Sequence, residues 1–210
     1  MSKSLRPAAL AAVAVLASGG LAQAACPTGL PPGVTCGAPD AKLAPAGTYK
    51  VDPNHAAIVA RVSHIGYSLS VFRFGKVTSA LTWDPAAPGA SKLSAAVDTA
   101  SIETPVPGFP EQLSGDKYLN SKAFPQATFV STSFKQIDAT HGRVAGDFTF
   151  LGVTHPMTFD VELIGAGKGF GAPRMGVHAH AMLDPKAYAM SPFFLDPIEL
   201  TIDAEFVRAS

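Results

Sequence analysis

Long stretches of the chain alternate apolar with polar residues, and this two-residue period predicts β-strands. The clearest run is residues 198–206, in which Ile, Leu, Ile, Ala and Phe alternate with Glu, Thr, Asp and Glu. Residues 144–150 and 157–163 repeat the pattern with phenylalanines on the apolar side, and residues 58–64 and 77–83 also alternate. Strands with one apolar and one polar face are typical of antiparallel sheets, so we expect an all-β domain.

Turn signals rich in glycine and proline separate these runs at residues 84–89, 140–142, 152–156 and 165–171. They divide the chain into about eight strands, one of them split or bent, and residues 111–119 are the helical candidate. Several runs reach ten residues, or roughly 33 Å of strand, which favours a closed barrel over a sandwich of short strands. The predicted fold is therefore an eight-stranded antiparallel β-barrel with one or two short helical segments.

The composition supports one ordered domain and excludes several classes of protein. The chain has 210 residues, of which 47% are hydrophobic and 15% charged, and this is too apolar for a disordered protein. The 16 basic residues equal the 16 acidic ones, so no electrostatic signal for a nucleic-acid partner is present. The two cysteines are too few for a cysteine-dense scaffold or a four-thiolate zinc site.

Residues 1–24 are predicted to be a secretory signal peptide. Two basic residues precede an apolar run over residues 8–16, and the small-x-small triplet at 22–24 gives a signal peptidase site. The apolar run is about half as long as a bilayer-spanning helix. Cleavage after Ala24 would leave 14 basic and 16 acidic residues in a periplasmic protein.

Residues 25–46 are predicted to form a Pro/Gly-rich N-terminal extension, followed by the barrel domain of residues 47–210. In an oxidising compartment we expect Cys26 and Cys36 to form a disulfide. A loop this short contributes about 3 kcal/mol at most, and it stabilises the extension rather than the barrel. Gln23 stands where lipoprotein signals carry an aliphatic residue, which disfavours lipidation of Cys26.

The chain offers little chemistry for catalysis or metal binding. His178 and His180 share one face of a predicted strand, but nothing in the sequence brings a third ligand close, so no metal or cofactor is predicted. The glycine-rich segment 165–171 opens no helix and has no Ser or Thr after Lys168, so we expect a hairpin connection rather than a phosphate-binding loop. Neither the G-x-S-x-G nor the H-E-x-x-H motif occurs.

Eight segments along the chain form an ordered series of motifs. They are residues 49–55 (YKVDPNH), 62–66 (VSHIG), 73–74 (RF), 83–84 (WD), 97–104 (VDTASIET), 116–119 (DKYL), 124–131 (FPQATFVS) and 144–154 (VAGDFTFLGVT). Over residues 47–208 this series resembles the YceI-like, lipid/polyisoprenoid-binding family. The resemblance implies a lipocalin-like, up-and-down barrel in an exported protein that holds an isoprenoid chain in an apolar channel.

Because of this resemblance, we expect part of the apolar strand faces to line a channel rather than to fill a solid core. His64 follows the register of Ile58 and Val62, so we expect it to line the channel as a polar marker. Small residues in inward registers would leave space unfilled: Ala60, Ser79, Gly146 and Ala204. The candidate ligand-binding residues are Ile58, Val62, His64, Phe74, Phe129, Phe148, Phe150, Phe159, Val161, Leu200 and Ile202. No residue is predicted to be catalytic.

Two positions depart from the family pattern. Phe72 stands where the family usually has glycine, so its ring is expected to narrow the channel or to change the twist of the strand. Residues 185–190 replace the usual Arg…Asp-Phe-Gly-like segment near the C-terminus. They bear on the class of ligand if that segment gates the channel or binds the head group.

The predicted function is non-enzymatic binding of a polyisoprenoid lipid or an isoprenoid quinone for transport, storage or sequestration, with transient membrane contact for ligand exchange. Two alternatives stay open. An enzyme acting on a small hydrophobic substrate would need a proton-transfer or nucleophilic pair, for which His64 is the one inward candidate. A solid-core barrel acting as an interaction module would need only that the phenylalanines fill the interior.

Overall fold

The computed structural model describes residues 25–188, 190–191, 194 and 196–209, and the predicted signal peptide lies outside these residues. The strands are β1 (Gly47–His64), β2 (Ser68–Phe74), β3 (Val77–Trp83), β4 (Lys92–Asp98), β5 (Ile102–Glu103), β6 (Gln126–Gln136), β7 (His141–Phe150), β8 (Val153–Gly167), β9 (Arg174–Leu183) and β10 (Ile198–Arg208). The helical segments are α1 (Phe109–Ser114) and the 3-10 turns Ala41–Leu43, Pro88–Ala90 and Thr99–Ser101. None of the helices in the described part combines the length and the hydrophobicity that a bilayer-spanning helix needs.

The strands form one antiparallel sheet that closes on itself. The order around the barrel is β1, β3, β4, β6, β7, β8, β9, β10 and back to β1. β2 and β3 act as two halves of one wall strand, because β3 pairs with the first residues of β1 and β2 pairs with its last residues. The predicted eight-stranded, antiparallel, up-and-down barrel with short helical segments is confirmed.

Some local elements differ from the pattern in the sequence. The alternating run 58–64 is the second part of a longer strand, β1, whose pairing with β10 shifts between Val51 and Ala56. The helix predicted at residues 111–119 is the shorter α1, because Gly115 ends it and turns follow. The glycine-rich segment 165–171 ends β8 and turns towards β9, as expected for a hairpin connection.

The two ends of the barrel are covered by different segments. One end, here called the loop end, carries the β1–β2 and β7–β8 turns together with residues 99–125, which include α1. At the opposite end, here called the arm end, the N-terminal extension of residues 25–46 packs against the barrel. Ala38 exchanges two backbone hydrogen bonds with Ala166 of β8, at 2.9 and 2.8 Å. Trp83 Nε1 donates a hydrogen bond to the Ala44 carbonyl oxygen at 3.1 Å, and Thr35 N donates one to the Gly169 carbonyl oxygen at 3.1 Å, so the extension is held at three places.

The extension contains the predicted disulfide between Cys26 and Cys36, with Cα atoms 5.8 Å apart. Close to it, the backbone of Gly37 lies directly on that of Gly165. A Cβ atom on Gly37 would come within 3.3 Å of the Gly165 and Ala166 backbone, so the absence of a side chain allows this approach. The disulfide-closed loop is therefore tied to β8 as well as to itself.

Candidate functional site

The barrel encloses an apolar cavity of about 260 Å³. Each of the eight barrel strands contributes inward side chains to its wall. Alternate residues of a strand point to the same face, so the two-residue period in the sequence becomes the cavity wall. The volume is just below the range of about 300–1,000 Å³ that is usual for small-molecule sites. The interior is therefore not a completely filled core.

Ten of the eleven predicted ligand-binding residues line this cavity: Ile58, Val62, Phe74, Phe129, Phe148, Phe150, Phe159, Val161, Leu200 and Ile202. The strand register brings them together. Ile58 lies opposite Ile202 on one side and Phe74 on the other. Phe129 and Phe159 meet edge to face, with ring centroids 5.2 Å apart. These residues form a continuous apolar surface, and their contact with a ligand stays a prediction.

His64 is the eleventh residue, and its predicted inward position is wrong. It is exposed at the end of β1 and does not line the cavity. Arg61, opposite Glu199, is the last residue of β1 that pairs with β10, and beyond it β1 pairs with β2 alone. The alternation continues through His64, but at that position β10 no longer lies beside the strand.

Three of the four small residues predicted to face inward line the cavity: Ala60, Ser79 and Ala204. Gly146 does not, and it leaves no empty space. A Cβ atom at Gly146 would lie 2.6 Å from Phe129 Cζ and would overlap the Val130 carbonyl oxygen. The pairing of β6 with β7 shifts between Ser131 and Ser133, and this bulge brings the neighbouring backbone onto the glycine.

Hydroxyl groups supply the polarity of the wall. Within the described residues the wall contains no charged side chain and no histidine, and its hydroxyls belong to Ser79, Thr99, Tyr118 and Thr128. Thr99 Oγ1 donates to the Phe124 carbonyl oxygen at 2.8 Å. Ser79 Oγ is buried without a hydrogen-bond partner in the described part of the chain. Such a wall favours hydrocarbon and offers no counter-charge to an ion.

The cover of the loop end supplies lining residues that the strand pattern missed. Leu113 of α1 and Leu119 are buried there, and Tyr118, Met190 and Phe194 complete this part of the wall. The rings of Tyr118 and Phe194 meet edge to face with centroids 6.3 Å apart. These residues lie in segments without a strand period, so their hydrophobicity was the one signal that could have identified them.

Phe72, the first departure from the family pattern, is buried in β2 and lines the cavity. Its ring packs against that of Phe109 at the start of α1, with centroids 6.3 Å apart. The phenylalanine therefore occupies volume that a glycine would leave empty, and it joins the barrel wall to the helical cover.

The second departure, residues 185–190, also lies at the loop end, and its described residues are 185–188 and 190. Tyr188 is 2% exposed, and its ring centroid lies 5.6 Å from that of Phe148 and 5.3 Å from that of His155. His155 Nε2 donates to the Ala187 carbonyl oxygen at 3.0 Å and fixes this segment. Burial raises the pKa of the Tyr188 hydroxyl, so the phenol stays protonated at neutral pH.

A smaller chamber of about 130 Å³ lies at the arm end. Its wall shares five residues with the main cavity: Leu81, Phe134, Val144, Val161 and Val177. Ala41 and Ala44 of the N-terminal extension also line it. The extension thus forms part of the cover of the barrel interior at this end.

The histidine pair considered from the sequence lies on the outer face of β9. His178 Nδ1 is 2.8 Å from an Asp203 carboxylate oxygen, and His180 Nε2 is 3.5 Å from Glu199. Each histidine therefore has its own carboxylate partner on β10, and the pair does not converge on one point.

A different group brings potential metal ligands together, namely Asp52, His55 and Glu205, whose ligand atoms lie within 4.8 Å of one another. Arg174 Nη1 already supplies a positive charge there, 2.7 Å from Glu205 Oε2. The hydrogen bond between His55 and Asp52 raises the pKa of the histidine and lowers that of the aspartate. These ion pairs account for the cluster without a metal.

Known proteins share both the sequence pattern and the barrel. Residues 49–206 match the family of the YceI-like domain. Protein YceI of Escherichia coli O157:H7 is 34% identical over 146 residues, which are 68% of this chain and 76% of that protein. The crystal structure of BcnA from Burkholderia cenocepacia has a TM-score of 0.67 at 20% identity and covers 74% of this chain and 98% of its own. A polyisoprenoid binding domain from Saccharophagus degradans has a TM-score of 0.59 at 12% identity and covers 77% of this chain and 98% of its own. The chain belongs to the YceI-like family.

Proposed function

We propose that this chain is an exported, non-enzymatic binding protein that holds a polyisoprenoid lipid or an isoprenoid quinone in the barrel for transport, storage or sequestration. The observation that carries the proposal is the apolar cavity of about 260 Å³. Each methylene group of a ligand tail gains about 0.8 kcal/mol when it leaves water for such a site. The wall supplies this gain without specific chemistry.

The size of the cavity limits the length of the tail. A water-sized group occupies about 30 Å³ of liquid, so 260 Å³ corresponds to on the order of nine such groups. A methylene group is similar in size to water, so the main cavity suits about two five-carbon isoprene units of a tail. A longer tail would reach the arm-end chamber or leave through the loop end.

The head group is expected to lie at an opening of the cavity rather than in its middle. A phosphate in the apolar wall would be desolvated without a counter-charge, because hydroxyls are the polar groups of the described lining. The tail then determines most of the affinity, and a few polar residues at the opening distinguish head groups.

Family relationships support this class of ligand. The Saccharophagus degradans domain is described as polyisoprenoid binding, and its barrel resembles that of this chain. Membership of the YceI-like family and an apolar interior agree with such a ligand.

Export is supported by the disulfide between Cys26 and Cys36. Disulfides persist in oxidising compartments such as the bacterial periplasm, whereas the cytosol keeps thiols reduced. The signal peptide predicted for residues 1–24 supplies the route.

Ligand affinity is expected to stay constant between about pH 5 and pH 8, the interval in which histidine changes charge. No histidine or carboxylate lies in the described wall, so the wall contains no group whose ordinary pKa falls in this interval. Titrating a fluorescent isoprenoid analogue across this interval measures the dependence. A bell-shaped profile would indicate the acid–base pair of an enzyme and would contradict the proposal.

The direct test is to purify the mature protein from a bacterial periplasm, extract it with organic solvent and identify the released lipid by mass spectrometry. We expect a prenyl lipid or a quinone in a defined ratio to protein.

Phe159→Leu should shift the preferred tail length, because it keeps the wall apolar and enlarges the cavity, while the Tm falls only slightly. A wild-type protein that binds no prenyl lipid or quinone of any tail length would end the proposal.

A further inference from the structure

The tip of the hairpin formed by the end of β1 and the start of β2 projects beyond the point where β1 pairs with β10. Its last pair with β10 is Arg61 with Glu199, and its first pair with β5 is Arg73 with Glu103. Residues 62–70 pair only with each other, whereas Val71 and Phe72 pair with Arg61 and Ala60, which also pair with β10. β1 continues for three residues beyond Arg61, so the tip stands roughly 10 Å past the neighbouring strand.

This hairpin exposes large apolar side chains to solvent. Ile65 is 83% exposed, Tyr67 88%, Leu69 56% and Val71 49%. Residues 62–72 contain no aspartate or glutamate. Scattered exposed hydrophobic residues are ordinary, but four on one projecting hairpin form a patch that marks an interaction site.

The turn at the tip holds an isoleucine in an unfavourable conformation. Tyr67 N donates to the His64 carbonyl oxygen at 3.0 Å, and the two residues between them have positive φ, 53° at Ile65 and 75° at Gly66. Turns of this kind favour Asn-Gly, and a β-branched residue with positive φ is a steric outlier. Leu151 has the same backbone conformation, at φ 50°, but its side chain packs against the core. Ile65 has no such compensation within the described fold.

We infer that this hairpin docks the protein on a lipid bilayer, with Ile65 and Tyr67 inserted at the boundary between head groups and acyl chains. The inference rests on the proposed function, because the inner face of the same hairpin, through Val62 and Phe72, is cavity wall. A tail leaving the bilayer at the tip would pass along an apolar strand into the barrel. Tyrosine suits this depth because its ring is apolar and its hydroxyl reaches the head groups.

A second copy of the chain is the competing occupant, and the geometry disfavours it. Stable dimers bury about 800 Å² per partner, whereas this patch consists of four side chains on a narrow hairpin. Charge does not drive the docking either, because Arg61 is paired with Glu199 and Arg73 with Glu103. Binding should therefore occur on neutral phosphatidylcholine vesicles and should persist at high salt.

Vesicle flotation with the double variant Ile65→Asn/Tyr67→Ser tests the inference. Asparagine tolerates positive φ, so the variant should keep or raise the Tm of the wild type, and neither residue lines the cavity. We expect at least ten-fold weaker association with phosphatidylcholine vesicles and unchanged affinity for a soluble isoprenoid analogue. The control is Ile137→Asn, which makes the same isoleucine-to-asparagine change at an exposed position of the arm end and should float like the wild type.

The inference is overturned if the wild type does not float, if the double variant floats equally, or if the Ile137→Asn control loses flotation to the same extent. A dimer seen by light scattering in the wild type and absent in the double variant would assign the hairpin to a second copy instead. Failure of the proposed function is recognised separately. In that case the wild type floats but binds no prenyl lipid or quinone.

Discussion

Ala179→Phe is expected to weaken binding of a long isoprenoid tail by about thirty-fold and to leave the Tm almost unchanged. Ala179 of β9 lines the cavity between Val161 and Ile202. A phenyl ring there would fill space that the tail occupies. If two or three methylene groups are displaced, at about 0.8 kcal/mol each, the loss is about 2 kcal/mol, or roughly thirty-fold in Kd.

The matched control is Ala181→Phe, two residues further along the same strand. Ala181 is buried on the same face of β9, but it does not line the cavity. The added ring must push packed neighbours aside, which costs about 1–3 kcal/mol and lowers the Tm by roughly 2–12 °C in a protein of this size. Calorimetry measures the Tm of both variants and so distinguishes a position that faces empty volume from one that is packed in the core. If the two variants lose equal stability, the interior around Ala179 is filled and the carrier proposal loses its main support.

The wall of the cavity could be predicted from the sequence because β-strands impose a strict period on their side chains. In β7 and β10 the apolar positions of the sequence, such as Phe148 and Ile202, are the positions that face the cavity. A slip by one residue would turn every one of them to solvent, so burial fixes the register strongly. The alternation therefore carries information about the site as well as about the fold.

His64 shows where this reasoning fails. Its register position is that of Val62, which lines the cavity, but the pairing of β1 with β10 ends at Arg61 and Glu199. A side chain on the inward face of a strand reaches the cavity only where other strands of the barrel lie opposite it. That condition depends on the ends of a strand far away in the sequence, which no local pattern reveals.

The cover of the loop end was unpredictable for a different reason. Leu113, Leu119 and Tyr118 reach the cavity from a short helix and turns, where side-chain direction follows no simple period. Their place depends on how residues 99–125 fold over the barrel, through contacts such as the one between Phe72 and Phe109. The sequence showed that these residues are apolar, but not which surface they would cover.

Gly146→Ala is expected to destabilise the barrel by about 3 kcal/mol and to lower the Tm by roughly 6–12 °C, although it adds one methyl group. The sequence suggested that this glycine leaves room for a ligand, and the structure places backbone there instead. The new Cβ would lie 2.8 Å from Ser131 Cα and would overlap the Val130 carbonyl oxygen. Backbone atoms in the middle of a sheet cannot rotate away as a side chain can, so β6 must separate from β7 at the bulge.

Gly176→Ala is the matched control, because it makes the same change in the interior of β9. A Cβ atom at Gly176 would meet Glu205 Cγ at 3.8 Å and the Gly165 carbonyl oxygen at 4.0 Å, which are ordinary contacts. This variant should gain up to about 1 kcal/mol, since alanine restricts the unfolded chain more than glycine does. Thermal unfolding of the two variants measures the difference. Equal Tm values would mean that the β6–β7 bulge can relax, and Gly146 would then be open to the role in the ligand site that its sequence pattern suggested.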